Sequence, residues 1–145
     1  MWEQRSCVIT TDRKVVSYKP HVFRLGQLTA QYHSLYESGK VQYTLNKKSQ
    51  VFLNEINMTV KAMSAYVYDN LRPELYYQGP SAHHRLPDFQ VMVFEMPYEN
   101  RKLYVKLAIG EIPISDDKTD GITIYMSFHP EEAEMNLPLQ EGDNK

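Results

Sequence analysis

Cysteine is almost missing from this chain of 145 residues, with Cys7 the only one. A single thiol cannot close an internal disulfide and leaves no thiolate set for a structural zinc, which fits a reducing cytoplasm. Long apolar runs are missing as well. No uncharged stretch approaches the roughly 20 residues that cross a bilayer, and the opening MWEQRSCVITTDRK lacks a basic-then-apolar signal pattern, so export is not expected. Glycine is scarce at six residues, and Gly39, Gly79 and Gly110 form no phosphate-cradling run, which argues against a nucleotide-hydrolysing domain. No HxxxH or CxxC pair accompanies the five histidines, so no metal centre is expected. Ser127 and Cys7 lack a nucleophile-elbow pattern, which sets acyl transfer aside. Asp116-Asp117 and Asp120-Gly121 do not match a calcium loop and read as turn residues.

What is present is an ordinary domain. Hydrophobic residues make up 42% and charged residues 23% of a 17.0 kDa chain, enough to bury a core without staples. The net charge of −2 hides an uneven distribution. Residues 131–145 hold Glu131, Glu132, Glu134, Glu141 and Asp143 against Lys145 alone. Setting that tail aside leaves 15 basic against 13 acidic residues on 1–130, a charge of +2. A mildly basic body with an acidic tail is compatible with a polyanionic ligand, although far from the pI above 9 that marks a dedicated nucleic-acid binder. The tail could dock on a basic face, but disorder is the simpler expectation.

The patterning divides the chain into an N-terminal extension (1–24), one domain (25–130) and the acidic tail (131–145). Residues 6–18 read as two short strands around Asp12-Arg13-Lys14, after which Lys19-Pro20 breaks the pattern. Leu25, Leu28, Tyr32, Leu35 and Tyr36 repeat at three- and four-residue spacing, one face of a helix that Gly39 closes as a left-handed cap. Val41–Thr44 suits a short strand or a linker. Asn46 is placed to cap a helix running to about Leu53, and Thr59 to cap another that Pro73 stops. The period then drops to two, with strands expected over 74–78, 88–96, 102–109 and 121–128. The 79–87 loop, a turn at Tyr98–Arg101 and a polar loop at Ser115–Asp120 separate them. Helices first and an antiparallel meander second predict an α+β fold, N-terminal helices packed on an antiparallel sheet.

Alternation along those strands sorts a packed face from a presented one. Leu103, Val105, Leu107 and Ile109 are expected to pack with Ile122, Ile124, Met126 and Phe128. The opposite face then gathers Lys102, Tyr104, Lys106, Tyr125, Ser127 and His129, with Gln90 from an otherwise apolar strand. No carboxylate is expected among them. Lysines offset phosphate charge, aromatic rings stack bases, and glutamine reads a base edge or donates to a phosphate oxygen, so the collection suits RNA. RNA also carries its own nucleophile in the 2′-hydroxyl. A protein need only move protons and steady the crowded phosphorane, tasks within reach of His, Tyr and Lys. The plain alternative is a solvated strand face. His83-His84-Arg85, in a proline-bounded loop, is a lesser candidate for phosphate or metal contact.

Several segments, in order and with similar gaps, resemble one family. LYESGKV (35–41), INMTVKAMSAYVYDNLRPELYYQ (56–78), Phe89-Gln90, LYVKL (103–107) and MSFHPEE (126–132) are similar to successive motifs of MqsR-type toxins, ribosome-independent mRNA interferases of the RelE-like group. The likeness spans roughly residues 25–132. It implies a RelE-like fold, a cytoplasmic endoribonuclease needing no metal or other cofactor and leaving 2′,3′-cyclic phosphate ends, and a cognate antitoxin as partner. Gln90 and Tyr104 match positions that the family uses at its active site, and Lys106 matches its strand lysine. Tyr77 and His129 stand where the family carries lysines, which weakens charge stabilisation and shifts the expected chemistry toward histidine-based proton transfer. The expected site is therefore His129, Tyr104 and Gln90 for chemistry, with Lys102, Lys106, Tyr77, Tyr125 and Arg85 for substrate binding. The same departures also suit a catalytically inactive RelE-like fold that binds protein or nucleic acid.

Overall fold

A computed structural model describes residues 19–86, 88–132 and 137, with side chains from Phe23 onward. The expected hairpin at 6–18 and most of the acidic tail lie outside the described residues. Three helices, α1 (Lys19–Glu37), α2 (Lys47–Glu55) and α3 (Val60–Asn70), accompany five strands: β1 (Val41–Tyr43), β2 (Tyr76–Ala82), β3 (Gln90–Tyr98), β4 (Arg101–Ser115) and β5 (Lys118–Pro130). The fold is α+β, as the change of period predicts.

Helix α1 starts at Lys19, earlier than expected. Pro20 opens it instead of breaking it, because a proline in the first turn removes an N–H that has no helical partner. Leu25, Leu28 and Tyr32 are fully buried. At its end Gly39, at φ 73°, donates to Tyr36 O while Lys40 donates to Leu35 O, a two-bond cap that needs the left-handed conformation glycine adopts freely. Both predicted N-caps form: Asn46 Oδ1 accepts from Ser49 N at 3.0 Å, and Thr59 Oγ1 from Ala62 N at 3.1 Å.

The sheet order is β1-β5-β4-β3-β2. Strands β2 to β5 form the antiparallel meander, and β1 adds to β5 in parallel, making the sheet mixed. Strand β2 runs through Gly79-Pro80 into residues expected to be loop. Its position at the sheet edge lets Pro80 dispense with a ladder hydrogen bond. Helices cover one sheet face, burying Met92, Phe94, Met96, Leu103, Val105, Leu107 and Phe128. A smaller apolar cluster of Phe89, Val91, Ala108, Ile122 and Ile124 occupies part of the opposite face.

One irregularity decides how β5 presents its side chains. Lys106 pairs with Ser127, but the next residue, Leu107, pairs with Tyr125, so Met126 is an extra residue on β5. Such a bulge shifts the alternation by one. Phe128 therefore packs under the helices, whereas Ile122 and Ile124 lie on the other face with Ala108. The uniform alternation expected for 121–128 is corrected accordingly. No helix among the described residues is long and apolar enough to cross a membrane.

Candidate active site

Past the bulge, β4 and β5 set Tyr104 directly opposite His129 and Lys106 opposite Ser127. Directly opposed positions on antiparallel strands bring side chains within contact reach. The Tyr104 and His129 rings stack, with centroids 5.3 Å apart and planes 14° from parallel. His129 is only 8% exposed. Its Nδ1 lies 2.9 Å from Pro130 O. A carbonyl can only accept, so the neutral ring carries its proton on Nδ1 and keeps its lone pair on Nε2. Burial, then Tyr77, holds the Tyr104 hydroxyl above the ordinary phenol range, so it stays a hydrogen-bond donor.

These residues line a cleft of about 570 Å³ together with Tyr77 and the start of α2. The path of the chain explains why a helix end arrives there. β1 pairs with Thr123–Tyr125, Thr44 N donates to Tyr125 O, and Asn46 N donates to Met126 O. The chain follows β5 as far as the bulge and turns into α2 beside Ser127. Asn46 then ties three pieces together: its amide donates to Ser127 Oγ at 3.1 Å while its carbonyl oxygen accepts from both the Ser49 amide and the Ser49 hydroxyl. The Ser49 hydroxyl in turn accepts from Phe128 N at 2.7 Å. This network fixes the first turn of α2, with Lys47 and Lys48, at the mouth of the cleft. Ser49→Ala should cost about 1–3 kcal/mol by leaving the Phe128 amide without its acceptor. Chemical denaturation measures that loss, and a change below about 0.5 kcal/mol, the scale of ordinary surface substitutions, would deny the network its role.

The charge of the cleft is mixed. Lys47 and Lys106 make no ion pair among the described residues, while Lys48 pairs with Glu132. That lysine holds the Glu132 carboxyl below its usual range, though both groups are well exposed and such pairs contribute little to stability. Glu131 also lines the cleft, and its Oε2 is buried with no hydrogen-bond donor among the described residues. Glu95 lies opposite Tyr104 on β3, so the face does contain a carboxylate, contrary to the strand-by-strand expectation. Among the described residues no three His, Cys, Asp or Glu side chains group in a way that could hold a metal ion.

The structure brings together His129, Tyr104, Lys106 and Tyr77 and separates the other candidates from them. Tyr125 is a correction. The bulge turns it beneath α1, where it is 1% exposed and its hydroxyl lies 2.7 Å from that of Tyr32. Burial raises both phenols far above their ordinary range, and neither residue lines the cleft. Gln90 is a second correction. It pairs with Ile109 on the helix-covered face and lines a separate cavity beside Arg24 and Gln31. Strand β3 is apolar on both sides, so alternation could not tell its faces apart. Lys102 and Arg85 are exposed and line neither the cleft nor its neighbour. Sequence patterning overlooked Lys47, Lys48 and Glu131 as cleft residues. The Asn46 cap signal predicted the helix that carries the two lysines, but no local signal shows where that helix points.

Compared with known protein families, curated proteins and solved structures, this chain matches none.

Proposed function

We propose that this chain is a metal-independent endoribonuclease that binds single-stranded RNA in the cleft over Tyr104 and His129. The observation that carries the reading is the Tyr104–His129 stack at the cleft floor, with the histidine lone pair confined to Nε2 and lysines at the rim. The 2′-hydroxyl attacks the adjacent phosphorus and gives its proton to His129 Nε2. The P–O5′ bond breaks, and the departing oxygen takes a proton from water in the open cleft. Tyr104 donates a hydrogen bond to the phosphorane, Lys106 and Lys47 offset its charge, and Tyr77 offers a ring to a base. The products are a 2′,3′-cyclic phosphate and a free 5′-hydroxyl.

The resemblance to MqsR-type toxins extends this proposal to a RelE-like mRNA interferase of the cytoplasm, held in check by a cognate antitoxin. The test is incubation of the purified protein with mixed-sequence RNA in EDTA. Fragments ending in 2′,3′-cyclic phosphate are expected, together with growth arrest on induction. The pairing of Lys48 with Glu132 and the presence of Glu131 in the cleft favour a second reading, a catalytically inactive RNA-binding relative. RNA that is bound but left intact at high protein concentration would select that reading.

A further inference from the structure

A second cavity, of about 140 Å³, adjoins the cleft and shares Tyr104 and Lys106 with it. It is lined by Val91, Val93 and Met126 together with Gln78, Ser81 and His83, and polar groups supply most of its exposed surface. A small cavity rich in hydrogen-bonding groups, beside the Tyr104 ring, suits a flat heteroaromatic ring with polar edges. Strand β2 is irregular here, with register shifts on both sides of Gln78. Gly79, at φ 99°, runs so close to β3 that a Cβ would lie 2.3 Å from Val91 O. The strand then leads into a short loop that His83 N closes on Phe89 O at 3.0 Å.

His83 is not a loose surface side chain. Its Nδ1 accepts from the backbone amides of Arg85 and Leu86 at 3.0 and 3.1 Å. An acceptor at Nδ1 requires the ring proton on Nε2, the tautomer opposite to that of His129. Burial foremost, then His84, Lys106 and Arg85, holds the His83 pKa below its ordinary value, which favours the neutral ring. His84 stacks on it at 4.8 Å. The ring thus offers one fixed donor beside a second obligate donor, the Lys106 ammonium.

We infer that this cavity is a second nucleotide subsite, seating a base next to the scissile phosphate, with His83 Nε2–H donating to a carbonyl edge such as that of guanine or uracil. The inference rests on the RNA reading of the adjoining cleft. It gives the His83 loop a binding role in place of the phosphate or metal contact considered from sequence.

The test uses the full chain and fluorescein-labelled 2′-O-methyl RNA, which has no free 2′-hydroxyl and cannot be cut. Anisotropy titrations compare a dinucleotide with tetranucleotides whose added bases are guanine and uracil or adenine alone. In the wild type the guanine–uracil tetranucleotide should bind ~tenfold more tightly than the dinucleotide, the usual scale for one seated base, and the adenine form should gain less. His83→Ala should abolish the gain while leaving dinucleotide affinity unchanged. His83→Gln, which keeps an Nε2–H donor, should restore part of it. A His83→Ala protein that keeps the whole gain overturns the subsite, as does equal gain from adenine. Failure of the nuclease reading is separately visible, since uncut RNA in EDTA alongside a His83-dependent gain would remove the chemistry and leave the subsite standing.

Discussion

Replacing His129 with alanine should slow RNA cleavage by about 100-fold or more, the ordinary contribution of a positioned general acid or base. The expectation follows from geometry. The bond from Nδ1 to Pro130 O leaves Nε2 as the only ring nitrogen with a lone pair, and the stack on Tyr104 limits how the ring can turn. Glutamine at 129 should not rescue the rate, because an amide can hydrogen-bond but cannot carry the proton. The measurement is single-turnover cleavage of an RNA oligonucleotide in EDTA, with thermal denaturation alongside, since removing a ring that is 8% exposed also removes packing. A His129→Ala protein that stays folded and cuts at the wild-type rate would refute the assignment. Tyr104→Phe keeps the stack and removes the hydroxyl, so it should bind RNA normally and cut more slowly. Equal loss of binding and cleavage would instead place the Tyr104 hydroxyl in ground-state recognition.

Phe128→Ala should destabilise the protein by about 3–5 kcal/mol, the usual cost of truncating a buried phenylalanine. Phe128 is fully buried, and its ring lies 6.0 Å from Phe52 on α2 and 6.3 Å from Tyr66 on α3. Its backbone amide is also the donor to Ser49. A loss of that size is a large part of the 5–15 kcal/mol that usually separates native from unfolded states. Urea or guanidinium denaturation with an unchanged m-value measures it, and a cost below about 1 kcal/mol would mean that the helices do not depend on this ring. Phe128 stands between Ser127 and His129, so the residue that seats the helices is also flanked by two residues of the cleft. A protein carrying Phe128→Leu should lose less stability and keep Lys47 and Lys48 at the cleft mouth, separating loss of fold from loss of site.

Much of the architecture was legible because its signals are local. A 3.6-residue period marks α1, cap residues mark the starts of α2 and α3, and a two-residue period with turn chemistry marks the meander. Each depends on neighbours within a few positions, as does the pairing of Lys102, Tyr104 and Lys106 on one side of β4. Where local signals conflicted, the expectation slipped. Pro20 breaks a helix interior but suits a first turn, and Pro80 breaks a central strand but not an edge strand.

The amino-acid order by itself therefore determined an α+β domain, its helix caps, and a strand face rich in lysine and tyrosine. Tertiary structure decided which of those side chains meet. The extra residue at Met126 is invisible to a period of two, yet it moves Tyr125 into the core while keeping His129 opposite Tyr104. The side of β3 that Gln90 occupies depended on its pairing with Ile109, since both faces of that strand are apolar. The first turn of α2 reaches the cleft only because β1 pairs with β5 across about 80 residues of sequence, carrying Lys47 and Lys48 to His129. Contacts between residues this far apart arise from packing and register, and those are properties of the folded chain, not of any window along it.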